Sequence, residues 1–295
     1  MPSQFPYPRK SSSSPSPSFY HPASRSTYAS IRRRANLRSV ALLVLGSIFA
    51  LWLLLYLLAR SGTSRSPSRK AYRPPGTPEV VIVTTIDPAL SQTHKEYLVE
   101  NRRDYAARHG HAIFFPNTTD YDLMPNVPSS WATIPALRHA MTLYPHTPWL
   151  WYLSSTALIM APSTKVDAHL LNPQKLEELM IPNQPVVPPD SVIKTFPHLR
   201  GERVDLVISQ DTEGLAGGSF FVRTGEWAKY FLDAWYDPLY RSYKFQKAEG
   251  HALEHMVQWH GTMLAKMALV PQRRLNSYTR ETGGNGNGKS GESWA

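Results

Sequence analysis

Val80-Val81-Ile82-Val83-Thr84-Thr85 is an unbroken β-branched run. Alternation would mark a strand with one wet face; a continuous run marks a strand buried on both faces, as in the centre of a parallel sheet. Residues 94–109 follow with helical apolar spacing at Tyr97, Leu98, Tyr105 and Ala106, and stop at Gly110, a residue suited to ending a helix in the left-handed region. His111-Ala112-Ile113-Phe114-Phe115 reads as the next strand. Strand, helix and strand in quick succession make a βαβ unit, so the predicted fold class is α/β. Outward from there, a helix over 133–144 leads through Pro145 to the strand Trp149-Leu150-Trp151-Tyr152-Leu153. Strands at 204–208 and 218–223 and helices at 225–236 and 249–258 complete the reading, without an internal repeat. Ligands of open α/β sheets sit beyond the carboxyl ends of the strands. That rule points to Thr84 and Thr85 after the first strand, and to Ser154-Ser155-Thr156 after the strand at 149–153.

The N-terminal part has another character. The chain has 295 residues and a formal charge of +10. Residues 1–78 carry 12 of its 32 Lys and Arg and none of its 22 Asp and Glu, so the remainder is slightly acidic. The basic excess therefore belongs to a tail, and nucleic acid is set aside as a partner, because it calls for a basic face on a folded module. Residues 1–39 are Ser/Pro-rich and basic, with Arg32-Arg33-Arg34 near their end; residues 40–59 hold no charged side chain; residues 60–78 are a Ser/Pro-rich stalk. Twenty helical residues rise ~30 Å, the hydrocarbon thickness of a bilayer, so 40–59 is predicted to span a membrane as a signal anchor. Basic residues crowd its N-terminal side, which favours a cytosolic tail. Asn117-Thr118-Thr119 is an acceptor for N-glycosylation and agrees with a lumenal C-terminal domain. Residues 79–278 form the globular domain, and 279–295 a Gly/Asn-rich tail. With no cysteine, thiolate metal sites, iron–sulfur clusters and thiol nucleophiles are excluded.

Three motifs need weighing. Gly283 to Ser290 has the spacing of a phosphate-binding loop, but too few residues follow it for the helix that such a loop requires. His251-Ala252-Leu253-Glu254-His255 has the spacing of a zinc protease helix, with two imidazoles at i and i+4. Downstream it finds only His260, Glu281 and Glu292 as further ligands. Gln210-Asp211-Thr212-Glu213-Gly214-Leu215-Ala216-Gly217-Gly218-Ser219-Phe220 reads as a glycine turn feeding an apolar strand, with Gln210 and Asp211 as candidate cleft residues. An ordinary loop between strands fits it equally.

Several blocks in order carry a resemblance. Asn101 to Ala106 with His109-Gly110, Trp131 to Arg138, Trp149 to Leu153 followed by Ala157 to Met160, Gln210 to Phe220, Phe231 to Trp235, Val270 to Arg273 and Asn276-Ser277-Tyr278 together resemble glycosyltransferase family 34. Within it, they look most like the fungal α-1,6-mannosyltransferase subunits of the Golgi mannan polymerase complex. The resemblance implies a GT-A (Rossmann-like) fold behind one transmembrane helix and a type II Golgi membrane topology. It also implies GDP-mannose as donor, a mannan or N-glycan outer chain as acceptor, companion mannosyltransferase subunits, and Mn²⁺ as the family's metal. By the same resemblance Thr84, Thr85 and Arg138 flank the nucleotide and diphosphate, Ser154 and Thr156 occupy the metal-motif positions, and Gln210 and Asp211 lie near the reacting sugar. The chain departs from the family where Asp-x-Asp is expected, reading Ser154-Ser155-Thr156, and has Thr133 and Ala216 where relatives carry Lys and Asn. Two expectations follow: an active α-1,6-mannosyltransferase, or a non-catalytic subunit whose metal site has decayed.

Overall fold

The computed structural model describes residues 37–62, 73–123, 125–187 and 191–277. Most of the tail and stalk, the Gly283–Ser290 motif and the C-terminal tail lie outside the described residues. The chain divides into two units, Met1–Arg69 and Lys70–Ala295, and each is described by itself.

In the first unit, helix α1 runs over Leu37–Gly62, 26 residues, and encloses the uncharged run predicted from sequence. Leu42, Leu45, Phe49, Trp52 and Leu55 are all exposed. Its side chains are described over 41–57, 17 residues, or ~26 Å of helix. Counted over the described residues alone, no helix is long and apolar enough to cross a membrane.

The second unit is built on a six-stranded sheet. In chain order its elements are β1 (Val80–Val83), α2 (Gln92–His109), β2 (Ala112–Phe114), α3 (Thr133–Leu143), β3 (Trp149–Leu153), α4 (Val166–His169) and α5 (Pro173–Leu179). There follow β4 (Leu206–Asp211), β5 (Gly214–Arg223), α6 (Glu226–Trp235), α7 (Pro238–Ser242), α8 (Glu249–Trp259), α9 (Gly261–Leu264), β6 (Met267–Val270) and α10 (Gln272–Leu275). The strand order is β2-β1-β3-β5-β4-β6. β1 is parallel to β2 and to β3, β5 is antiparallel to β3 and to β4, and β6 is parallel to β4. All strands but β5 therefore point one way. The carboxyl ends of β1, β3, β4 and β6 share one edge with the start of β5.

Burial explains the continuous run at β1. Val81 and Val83, with Leu150 and Tyr152, join a core with residues of α3, α6, α8 and α9. Val80 and Ile82, with Trp149 and Trp151, join a second core with residues of α2 and α5. No residue of β1 retains any exposure, and each such aliphatic side chain contributes about 1.5–3 kcal/mol by leaving water. Helix α2 is held at both ends as its sequence requires: the Ser91 side chain accepts from the His94 amide, and Gly110 closes the helix with φ 70°. Its buried stripe is Leu98, Arg102, Tyr105 and Ala106; Tyr97, expected inward, is exposed.

Two sequence expectations change. The region 214–217 is strand, not a glycine turn, because Gln210 pairs with Leu215 and Asp211 with Gly214. The hairpin thus closes on Thr212-Glu213, with the Asp211 carboxylate accepting from the Glu213 amide at 2.7 Å. β6, α4 and α5 were not foreseen. β6 is only four residues long, and its partner β4 is remote in sequence.

Gly214 has φ +130°, and a Cβ there would overlap Glu254 Oε1, which accepts the Leu215 amide at 3.0 Å. Gly214→Ala is expected to destabilise the domain by about 2–3 kcal/mol, measured by denaturant unfolding; a shift within 0.5 kcal/mol, about the size of a surface substitution, would show that the hairpin is not tied to α8. His111 is buried, and neither ring nitrogen has a partner. Burial, opposed in part by Asp167, holds its pKa below the ordinary value. The folded state therefore binds fewer protons than the unfolded one, so this stability is complete above ~pH 6.5 and is lost as pH falls below it. The melting temperature should fall from pH 7.5 to 5.5, and fall less in His111→Phe; equal falls would refute the assignment.

Candidate functional site

The shared strand edge gathers the polar residues that follow β1 and β3. Ser154 extends the β3–β5 ladder by one bond, its amide donating to the Gly218 carbonyl at 2.8 Å. At Gly218 a Cβ would lie 3.6 Å from Ser154 Oγ and 3.8 Å from Asn276 Oδ1. β5 thus presents bare backbone between Ser154 and Asn276. Ser154 Oγ and Thr156 Oγ1 are hydrogen-bonded to each other at 2.9 Å, with Ser154 half-buried and Thr156 exposed.

Beneath them, Thr84 and Thr85 are buried. Thr85 Oγ1 lies 3.4 Å from the Tyr152 hydroxyl, to which Thr133 Oγ1 donates at 2.8 Å. Burial raises the Tyr152 pKa, so its phenol stays protonated and can donate a hydrogen bond to Thr85. Thr133, where the resemblance expected a lysine, closes this hydroxyl network. Two carboxylates border it. Asp87 Oδ2 accepts from Ser129 Oγ at 3.2 Å, and Glu249 Oε2 from Ser130 Oγ at 2.5 Å. Burial raises the Glu249 pKa, with the Ser130 bond opposing.

The loop after β3 is fixed from α2, through its backbone. Arg102 donates from Nη2 to the Ser154 carbonyl at 2.9 Å and to the Ala157 carbonyl at 2.5 Å, and from Nε to Thr84 Oγ1 at 3.4 Å. Asn101 bonds both the amide and the carbonyl of Ile159, at 2.9 and 3.0 Å. His94 Nε2 meets the Ser155 carbonyl at 2.8 Å. Neither Arg102 nor Tyr152 was singled out from sequence as a site residue. The available signal was an arginine in the apolar stripe of α2, where its four-residue spacing from Leu98 turns it inward.

The structure thus brings together Thr84, Thr85, Ser154 and Thr156. It turns the others elsewhere. Arg138 pairs with Asp233 of α6 at 2.8 Å, beside a hollow of about 290 Å³ lined by Ile134, Pro135 and Tyr236. Gln210 spends its amide on the segment 185–187, accepting from the Val187 amide at 3.2 Å and donating to the Pro185 carbonyl at 3.1 Å. Asp211 holds the hairpin turn. Asn117 is exposed, at the start of a short 3₁₀ turn over Thr118–Asp120.

The donor chemistry at 154–156 does not fit Mn²⁺ or Mg²⁺. Hard cations are held by anionic oxygens, and the two side chains here are neutral hydroxyls, hydrogen-bonded to each other. Among the described residues no group of three His, Asp or Glu could hold a metal. The histidine pair on α8 is likewise committed: His255 Nδ1 meets the Tyr240 hydroxyl at 3.2 Å, His251 Nδ1 accepts the Lys247 amide at 3.4 Å, and Glu254 braces Leu215. A zinc protease needs that glutamate turned to water.

Comparison with known proteins agrees with this architecture. An uncharacterized α-1,2-galactosyltransferase of Schizosaccharomyces pombe is 32% identical over 219 residues, covering 71% of this chain and 67% of that protein. An α-1,2-galactosyltransferase of the same organism is 31% identical over 192 residues, covering 61% and 50%. The probable α-1,6-mannosyltransferase MNN10 of Saccharomyces cerevisiae is 28% identical over 185 residues, covering 61% and 47%. The chain thus spans between about half and two thirds of the length of these relatives. Residues 76–290, well over half of the chain, match the galactosyl transferase GMA12/MNN10 family, glycosyltransferase family 34. The chain belongs to that family, as the ordered blocks of its sequence implied.

Proposed function

We propose that this chain is a Golgi hexosyltransferase of the GT-A type, which binds a nucleoside-diphosphate hexose at the carboxyl edge of its sheet and acts on a mannan or N-glycan acceptor. One observation carries the reading: Thr84, Thr85, Ser154, Thr156, Gly218 and Asn276 converge where β1 and β3 end, on a loop held rigid from α2. Bare backbone at Gly218 leaves room for a ligand, and the hydroxyls offer both donors and acceptors for sugar and phosphate oxygens. GDP-mannose is the donor of this reading, with transfer in α-1,6 linkage and retention at the anomeric carbon. UDP-galactose is the competing donor, since the relatives named above include α-1,2-galactosyltransferases.

Topology belongs to the same proposal. The backbone of α1 extends over 26 residues, ~39 Å of helix, around an uncharged stretch at 40–59. This is the length and composition of a membrane anchor. The basic residues before it favour a cytosolic tail, and the exposed acceptor Asn117 agrees with a lumenal domain. Companion mannosyltransferase subunits are the partners proposed.

A second reading is favoured by the hydroxyl pair. If Ser154 and Thr156 replace the carboxylates that hold a cation against the diphosphate, the chain serves as a non-catalytic subunit that binds donor or acceptor for an active partner. Titration calorimetry of the full chain in detergent, with GDP-mannose and UDP-galactose, tests the shared claim, and binding of neither donor overturns it. Mannose transfer to an α-mannoside, with Mn²⁺ and with chelator, separates the two readings; turnover in either condition removes the second. In the double variant Ser154→Asp, Thr156→Asp, donor affinity should become Mn²⁺-dependent, by about tenfold. An affinity indifferent to Mn²⁺ would show that this loop is not the cation-holding position.

A further inference from the structure

Arg102 has no exposed surface, and each of its hydrogen-bond partners is neutral: Thr84 Oγ1, Asn101 Oδ1 and the carbonyls of Ser154 and Ala157. Among the described residues no carboxylate pairs with it. The contrast lies within the same domain, where Arg223 has Asp205 at 3.3 Å and Arg138 has Asp233 at 2.8 Å. An arginine buried without a counter-ion is costly, because its charge loses water and gains no opposite charge. Burial lowers its pKa only to about 10, so it remains a cation at neutral pH. Its Nη2 reaches the carbonyl of Ser154, the residue whose hydroxyl stands at the strand edge. Among the described residues no carboxylate supplies a countercharge to Arg102, which lies against the backbone of the loop that carries Ser154 and Thr156.

We infer that Arg102 is a positioning residue of the donor site, whose fixed positive charge, delivered through the Ser154–Ala157 loop, favours the diphosphate of a nucleotide sugar without a divalent cation. This rests on the nucleotide-sugar reading above. A charge held in a poorly solvated interior acts more strongly than the same charge in water and is screened less by salt. It also needs no reorganisation as the leaving diphosphate gains charge. The loop hydroxyls and backbone then set geometry, while the guanidinium supplies the electrostatics.

The test separates charge from architecture. Asn101→Asp keeps an oxygen where Asn101 Oδ1 now accepts from Arg102 Nη1 at 3.2 Å and from the Ile159 amide, and places a carboxylate on the guanidinium; it also gives up the donation to the Ile159 carbonyl, an architectural loss that thermal unfolding and the nucleoside affinity read. Arg102→Lys keeps the charge and loses the fork; Arg102→Gln loses the charge. Titration calorimetry of the full chain in detergent, with chelator present, would use GDP, UDP and the nucleosides guanosine and uridine, with thermal unfolding followed in parallel. Asn101→Asp and Arg102→Gln are expected to weaken binding of the preferred diphosphate about tenfold and leave its nucleoside unchanged, while Arg102→Lys stays within about threefold. Equal losses for diphosphate and nucleoside, or an unchanged diphosphate affinity in Asn101→Asp, would make Arg102 a purely structural clamp and overturn the inference alone. Should Arg102→Gln fail to fold, Asn101→Asp still decides. Wild-type protein that binds no diphosphate removes the nucleotide-sugar reading, and this inference with it.

Discussion

The grip of α2 on the backbone of the loop after β3 is the constraint on which the site depends. Arg102, Asn101 and His94 hold peptide groups at Ser154, Ser155, Ala157 and Ile159. Further along, the Tyr105 hydroxyl donates to the Thr164 carbonyl and accepts from the Val166 amide, and His109 meets the Pro162 carbonyl. One helix face thus satisfies the backbone of an irregular segment that would otherwise leave buried peptide groups unpaired. Because these contacts are to main chain, they are indifferent to the side chains at 154–156. Carboxylates can give way to hydroxyls there without unmaking the edge of the sheet.

Shape and charge are thus separable at this edge, because the main-chain contacts hold whichever side chains stand at 154–156. Ser154 and Thr156 bond to one another, two neutral hydroxyls with no anionic oxygen to offer a metal. Around them stand a buried hydroxyl network centred on Tyr152, carboxylates at Asp87 and Glu249, and the buried cation Arg102. Burial raises the Glu249 pKa, and the hydrogen bond from Ser130 opposes the shift.

Much of the architecture was legible because periodicity reports burial directly. The β1 run is continuous because both faces are covered, and α2 begins and ends where Ser91 and Gly110 place its caps. Local pattern failed where pairing reached across the chain. β6 is four buried residues whose strand character depends on β4, and the segment from Gly214 reads as a turn until Gly214 and Leu215 pair with β4. Arg138 and Gln210 have the chemistry of site residues. Their direction is set by Asp233 and by the 185–187 segment, neither adjacent in sequence. Arg102 was the reverse case, a charged residue in an apolar stripe, which amphipathic reading discounts.

The amino-acid sequence by itself determined the α/β class, the two-faced burial of β1, the uncharged stretch at 40–59 and the membership of a glycosyltransferase family. Each is written in residues that are neighbours along the chain or in the order of short blocks. Only the tertiary structure decided which polar groups meet. It joined Thr84, Thr85, Ser154 and Thr156 at one edge, spent Gln210 and Arg138 elsewhere, and set a buried guanidinium against the backbone of the loop. Such meetings depend on side-chain direction and on contacts between residues some twenty to seventy positions apart, which no local pattern encodes.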